Sequence, residues 1–153
     1  MSNIQSDTEF KSALSAMSIA DQRVVARLFV EHVIGLSDNP VVGKTLMAGD
    51  IDALSEDEIN AAYKITKGAA IDSYTLCGHD GDWIKQASHF VAAAAAACFT
   101  PSDQAVMCND IAWSAAMNAR MARVCQGVAQ GTGDDDSETT SQYQILNSFL
   151  QSV

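Results

Sequence analysis

The sequence predicts an all-α fold: a compact bundle of five or six mostly antiparallel helices, forming one domain over residues 1–153. Apolar residues recur with a 3.6-residue period along most of the chain, as expected for helices with one buried face. No alternating strand pattern extends beyond a few residues. The chain has only 2 prolines and 9 glycines, too few for a turn-rich sandwich or barrel.

The first third of the chain predicts two helices and then a break. Residues 8–17 form a short amphipathic segment, and residues 21–37 carry an apolar stripe along one face. The charged residues of this second segment lie opposite that stripe: Asp21, Arg23, Arg27 and Glu31. The pattern stops over residues 37–55, which predict a loop with one helical turn near residues 42–47.

Capping residues indicate where the next two helices begin. Ser55 and Glu58 have the spacing of a capping box, in which each side chain accepts a hydrogen bond from the other residue's backbone N–H. This helix is expected to end near Cys77. Asp82 is the expected N-cap of a helix over Trp83–Cys98.

Two further helices complete the prediction. Thr100 and Pro101 are interpreted as an N-cap followed by a first-turn proline, so one helix is expected from there to about Val124. Residues 127–136 are a loop rich in glycine and aspartate. The last helix directs its apolar residues inward: Ile145, Leu146, Phe149, Leu150 and Val153.

Six consecutive alanines, Ala92–Ala97, predict how the helices pack. Alanine favours a helix but supplies no large side chain to bury, so a neighbouring backbone can approach closely. The alanine-rich helix after Pro101 is the expected neighbour, and the two helices should form a central pair. The alternative is that these alanines are filler on a solvent-exposed surface, although surface helices normally carry charge.

The charge balance restricts the class of partner. With 19 acidic and 9 basic residues the chain carries a net charge of −10, which repels nucleic acid and anionic membranes and favours a cationic partner. The first ten residues lack the pattern of a signal peptide. The apolar run Phe90–Phe99 is also far shorter than the ~20 residues that span a bilayer. We therefore expect a cytoplasmic protein.

Candidate metal ligands and catalytic groups are dispersed. The segment Cys77–Asp82 holds a thiol, an imidazole and carboxylates and could bind zinc, but it lacks a metal-binding spacing, so an interhelical turn is the other interpretation. His32 is predicted to be a hydrogen-bonded core histidine, and His89 to lie on a wetter helix face. The cysteines are interpreted as free buried thiols: Cys77, Cys98, Cys108 and Cys125. With no catalytic motif present, we expect no enzymatic activity, cofactor or bound metal.

The acidic residues are concentrated in two patches. The first patch is Asp50, Asp52, Glu56, Asp57 and Glu58. The second patch is Asp134, Asp135, Asp136 and Glu138. One interpretation is a solvated loop with favourable charges at helix N-termini. The other is a docking surface for a basic protein, in which long-range attraction raises the rate of association.

Several segments resemble the alanine-rich, all-helical immunity proteins of bacterial polymorphic toxin systems. The resemblance covers residues 23–150 and lies in RVVARLFVEHV (Arg23–Val33), GDIDALSEDEINAAY (Gly49–Tyr63), Gly68–Phe99, AWSAAMNARMA (Ala112–Ala122) and SQYQILNSFL (Ser141–Leu150). The last segment contains the aromatic–Gln pair Tyr143-Gln144. The resemblance implies a cytoplasmic protein without chemistry of its own, which neutralises a cognate toxin by covering it.

Both acidic patches would then attract the basic toxin, and an apolar contact would hold it. The candidate anchors are His79, Trp83 and Tyr143. Two other hypotheses stay open. One is a helical ligand- or metal-binding domain that uses the Cys77–Asp82 turn and the gap beside the alanine helices. The other is a structural or regulatory homodimer whose alanine faces meet across a symmetry axis.

Overall fold

The computed structural model describes residues 3–80, 82–131 and 137–152, and for residues 74–80 the backbone only. Within these ranges the chain forms eight α-helices, two 3-10 helices (Ile34–Leu36 and Ile51–Ala53) and no strand. The α-helices are α1 (Asp7–Ser15), α2 (Ile19–Val33), α3 (Pro40–Leu46), α4 (Glu56–Asp80), α5 (Trp83–Cys98), α6 (Ser102–Cys108), α7 (Ile111–Gln130) and α8 (Ser137–Ser152). The all-helical prediction is confirmed, but five or six helices is too few. Their antiparallel direction stays a prediction.

One additional helix, α3, arises in the segment that was expected to be a loop with one helical turn near residues 42–47, so the predicted turn is confirmed and is longer than expected. Asn39 caps α3 by accepting a hydrogen bond from the Val41 N–H at 3.0 Å, and Pro40 occupies the first turn, where its missing N–H costs nothing. Val42, Leu46 and Ile51 are buried, so this segment contributes to the core. A seven-residue helix is too short for its period to stand out in the sequence.

The other additional helix arises because the predicted helix after Pro101 is divided. It becomes α6 and α7, and between them Asn109 adopts a left-handed conformation with φ 52°, which asparagine tolerates better than most residues. Gln22, which is buried on α2, stabilises this break: its Nε2 donates to the Asn109 Oδ1 at 2.8 Å, and its Oε1 accepts from the Ala112 N–H at 3.3 Å. A distant side chain thus caps the start of α7.

The centre of the fold is the alanine-rich pair α5 and α7, which make the most extensive interhelical contact. Both helices bury their alanines: Ala92, Ala94, Ala95 and Ala96 on α5, and Ala112, Ala115, Ala116, Ala119 and Ala122 on α7. The predicted central pair is therefore confirmed, and the surface-filler alternative is wrong. These buried alanine faces meet within one chain, and the homodimer hypothesis stays a prediction.

Arg23 is a charged residue inside this core, with only 3% of its surface exposed. Its guanidinium donates to the carbonyl oxygens of Cys98 and Thr100, both at 2.7 Å. These carbonyls lie at and just beyond the C-terminal end of α5, where the last turn of a helix leaves carbonyl groups unpaired and carries partial negative charge. Arg23 thereby fixes the end of α5 against α2.

Candidate functional site

The segment Asp50–Glu58 presents the first acidic patch to solvent. All five of its acidic residues are exposed, and we call them the acidic surface: Asp50, Asp52, Glu56, Asp57 and Glu58. Ile51 is buried in the middle of this segment, and the Arg27 guanidinium donates to the Gly49 carbonyl oxygen at 2.7 Å. The core and α2 thus hold the backbone while the carboxylates face outward.

Two members of the acidic surface also have structural roles. The capping box is confirmed: the Ser55 N–H donates to Glu58 at 3.0 Å, and the Glu58 N–H donates to the Ser55 hydroxyl at 3.2 Å. The hydrogen bond from the Ser55 backbone N–H to the carboxylate, followed by the interaction of the Ser55 side chain with it, holds the pKa of Glu58 below its ordinary value. Glu56 accepts a hydrogen bond from the Ser102 hydroxyl at 2.6 Å.

The acidic surface is not neutralised by the basic residues of the chain. Within the described ranges, none of its five carboxylates lies in an ion pair with lysine or arginine. The four arginines have other partners. Arg23 donates to carbonyl oxygens at the end of α5. Arg27 forms an ion pair with Glu31, Arg120 with Asp7, and Arg123 with Glu138. Arg23 attracts Glu56 electrostatically, and Arg27 lines one depression together with Asp50 and Asp52. With five carboxylates and no ion pair in the described ranges, the surface still keeps a negative field.

Only Glu138 of the second acidic patch lies within the described residues. Asp134, Asp135 and Asp136 lie outside the described residues. Glu138 is only 2% exposed: it accepts a hydrogen bond from Arg123 Nε at 3.0 Å and lies 2.8 Å from His32 Nδ1. The expectation that Glu138 faces a partner is wrong, because α2 and α7 bury it.

His32 and Cys108 also differ from their predictions. The His32 side chain is 42% exposed and bonds Glu138 from the protein surface, so it is hydrogen-bonded as expected but not part of the core. Cys108 is exposed at the end of α6, whereas Cys98 and Cys125 are buried as predicted. Burial raises the pKa of the Cys98 thiol to about 12.

The three predicted anchors have different environments. Trp83 begins α5 and is 42% exposed, next to Ile84 at 63%. Tyr143 is half-buried: its ring centroid lies 5.4 Å from that of Phe10, and its hydroxyl donates to Asp7 at 2.7 Å. Burial and this hydrogen bond raise the pKa of Tyr143, so it serves the contact between α8 and α1. The side chain of His79 lies outside the described residues.

The predicted turn at Cys77–Asp82 begins later than expected. The backbone of α4 continues to Asp80, so Cys77 and Gly78 are helical. Of the side chains that suggested zinc, those of Cys77, His79 and Asp80 lie outside the described residues. The Asp82 carboxylate is the N-cap of α5, as predicted: it accepts hydrogen bonds from the backbone N–H groups of Ile84 at 3.0 Å and Lys85 at 3.3 Å. Elsewhere in the described part of the chain, no three His, Cys, Asp or Glu side chains lie close enough together to hold a metal ion.

Two concave regions lie elsewhere on the molecule. A cavity of about 370 Å³ lies between α4, α5 and the start of α7, and its polar lining includes Tyr63, Lys67, His89 and Asp110. The Lys67 ammonium donates to the Tyr63 hydroxyl at 2.9 Å, and one His89 ring nitrogen lies 2.7 Å from the Ala70 carbonyl oxygen. Tyr63, Lys67 and Ala70 line the α4 side of this cavity. Their i, i+4, i+7 spacing, which places them on one face of α4, is the signal in the sequence that could have predicted this.

The second concave region is an open groove of about 670 Å³ between α2 and α8, with Leu28, Ile145 and Phe149 among its lining residues. We call it the α2–α8 groove. This groove was not predicted, since the helical period assigns all three side chains to inward faces. No signal in the sequence separates a residue at a groove from a residue in the core.

Comparison of the chain with protein-family models, curated proteins and solved structures finds no match. None of the helices in the described ranges is both long and apolar enough to cross a bilayer.

Proposed function

We propose that this chain is a non-catalytic acidic binding protein that docks on a basic protein and occludes it, as an immunity protein neutralises its toxin in the bacterial cytoplasm. The observation that carries the proposal is the acidic surface, whose five exposed carboxylates form no ion pair with lysine or arginine within the described ranges. The net charge of −10 adds long-range attraction for a cationic partner. The resemblance noted in the sequence supports the same function.

The mechanism requires no reaction. Carboxylates that are exposed and unpaired steer a positively charged surface into contact and raise the association rate, while salt screens this attraction. Three of these groups, Asp50, Asp52 and Asp57, have no side-chain hydrogen bond within the described ranges, so they are available for a partner's lysine or arginine. Once docked, the bundle blocks the basic protein by covering its surface.

The test removes two negative charges from the acidic surface by substitutions at exposed positions, which should leave the fold unchanged. The product of the reading frame immediately upstream serves as partner, and stopped-flow measurements follow its association with the chain. We expect the Asp50→Asn, Asp52→Asn double variant to associate roughly three- to tenfold more slowly. The difference should disappear as salt rises from about 0.01 M to about 1 M, because the Debye length falls from roughly 30 Å to about 3 Å.

The control is the Asp72→Asn, Asp110→Asn double variant, which removes the same charge from exposed positions outside the acidic surface. Its association rate should stay close to that of the wild type. Equal slowing by both variants would mean that net charge alone acts and that the acidic surface has no special role. A partner that neither binds the chain nor loses its effect on cell growth when coexpressed with it would contradict the function itself.

The cavity between α4, α5 and α7 favours a second candidate function, the binding of a small ligand. It brings the Lys67 ammonium and the Asp110 carboxylate to one site beside an alanine-lined wall, and a volume of about 370 Å³ lies within the range of small-molecule pockets. Opposite charges at one site suit a zwitterion. This function predicts that calorimetry detects binding of L-arginine, L-glutamate or L-leucine, and that Ala93→Phe, which fills the cavity, abolishes it. The absence of heat with all three would count against this candidate.

A further inference from the structure

The α2–α8 groove has an apolar floor and polar rims. Leu28, which is 36% exposed, faces Ile145 and Phe149 across it, and the last two also pack against the core. On the α8 side the rim consists of small polar groups: Ser141, Gln144, Ser148 and Ser152. These residues recur at helical spacing, so the rim runs along α8 for three turns. The groove is therefore an elongated apolar site.

The α2 side of this groove adjoins the acidic surface. Leu28 and Glu31 line both the groove and a neighbouring depression, which is also lined by Arg27, Asp50 and Asp52. Glu31 is paired with Arg27 at 2.8 Å, so the uncompensated carboxylates on this side are Asp50 and Asp52. The α2 border of the groove itself consists of Leu28, Glu31 and His32. Asp50 and Asp52 lie just beyond this border, in the neighbouring depression, whereas the α8 border is neutral.

The walls of the groove are fixed by contacts below it. Glu138, buried near the start of α8, joins α8 to His32 on α2 and to Arg123 on α7. Leu146, on the same helix, is completely buried. Because the walls are helices held by buried contacts, the groove is formed before a partner arrives, which lowers the entropic cost of binding.

We propose that the α2–α8 groove binds an amphipathic helix of the basic partner. The apolar face of that helix contacts Leu28, Ile145 and Phe149, and its lysines or arginines face Asp50 and Asp52. Helices bind between two helices through apolar anchors at i, i+3 or i+4, and i+7, and the charges beside the anchors fix their direction. This inference rests on the proposed function and identifies the surface and the kind of segment that it recognises.

The test uses a fluorescent leucine–lysine peptide of about 18 residues, roughly five helical turns, with leucines on one helix face. A second peptide has the same composition with the leucines dispersed, and a third has glutamate in place of lysine. Fluorescence polarisation should show binding of the first peptide at least about tenfold tighter than of either other peptide. The protein variant Ser148→Arg places a long cation at the groove rim and should weaken binding by about tenfold or more.

Ser12→Arg on α1 is the matched control, since it makes the same change at an exposed helical position outside the groove. It should bind the first peptide as the wild type does. If the dispersed peptide binds equally well and Ser148→Arg has no effect, the groove proposal is overturned while basic-protein docking on the acidic surface stands. If no lysine peptide binds, the groove proposal fails. If, in addition, the upstream gene product does not bind, the proposed function fails with it.

Discussion

Replacing Arg23 with methionine should lower the free energy of unfolding by about 2–4 kcal/mol, because the change leaves buried carbonyl groups without donors. The guanidinium is 3% exposed and donates to Cys98 and Thr100. Methionine fills a similar volume but donates nothing. Burial lowers the pKa of Arg23, yet arginine stays protonated at any pH where the protein folds, so the lost hydrogen bonds are charge-assisted. Urea unfolding followed by circular dichroism measures the loss.

Two further variants separate geometry from charge. Arg23→Lys keeps the charge but lacks the planar fork that reaches two carbonyls at once, so its loss should lie between those of wild type and methionine. Lys64→Met removes a cation from an exposed position on α4 and should change the unfolding free energy by less than about 0.5 kcal/mol. If Arg23→Met had the same urea midpoint as the wild type, the role of Arg23 at the end of α5 would be disproved.

The burial of Arg23 could not be predicted from the sequence. The period of α2 places Val25, Phe29 and Val33 correctly in the core, but Leu28 of the same stripe is 36% exposed. Arg23 lies on the face opposite the stripe, where an arginine is expected in water. Its burial follows from the approach of the α5 end from another part of the chain. No local pattern contains that information, because the carbonyls involved are 75 and 77 residues away.

Features that depend on neighbouring residues were predictable. The Ser55–Glu58 capping box and the central alanine helices each follow from a short stretch of sequence. The division between α6 and α7 was not, because apolar residues such as Val106 and Ile111 continue on both sides of it, and the break at Asn109 is held by Gln22 from α2. The helical conformation and the capped start of α4 thus follow from the local sequence, whereas the break between α6 and α7 depends on a tertiary contact.

The same distinction applies to the acidic residues of the candidate site. The exposure of Asp50 and Asp52 could be predicted, since they lie in a polar segment outside any apolar stripe. Glu138 is also an acidic residue in a polar segment, but it is buried, because Arg123 on α7 and His32 on α2 form hydrogen bonds with its carboxylate. A count of acidic residues therefore cannot distinguish a docking carboxylate from a structural one, whereas the partners of each carboxylate can.

Glu138→Gln should accordingly lower the free energy of unfolding by about 2–3 kcal/mol, because it leaves Arg123 without its buried counter-charge. The Asp50→Asn, Asp52→Asn variant makes the same kind of change at exposed positions and should stay within about 0.5 kcal/mol of the wild type. Thermal unfolding of both variants in the same buffer measures the contrast. Equal stability of Glu138→Gln and wild type would mean that the carboxylate does not stabilise the fold.

A second substitution tests the pairing itself. Combining Glu138→Leu with Arg123→Met removes both charges at once, and it should cost less than the sum of the single changes, because neither variant residue leaves a buried charge behind. Because Glu138 anchors α8 against α2, its loss should also weaken peptide binding in the α2–α8 groove. Loss of the Asp50 and Asp52 carboxylates should instead slow association of the partner without lowering the free energy of unfolding. The two kinds of carboxylate are thus separable by experiment: one maintains the surface, and the other attracts what binds to it.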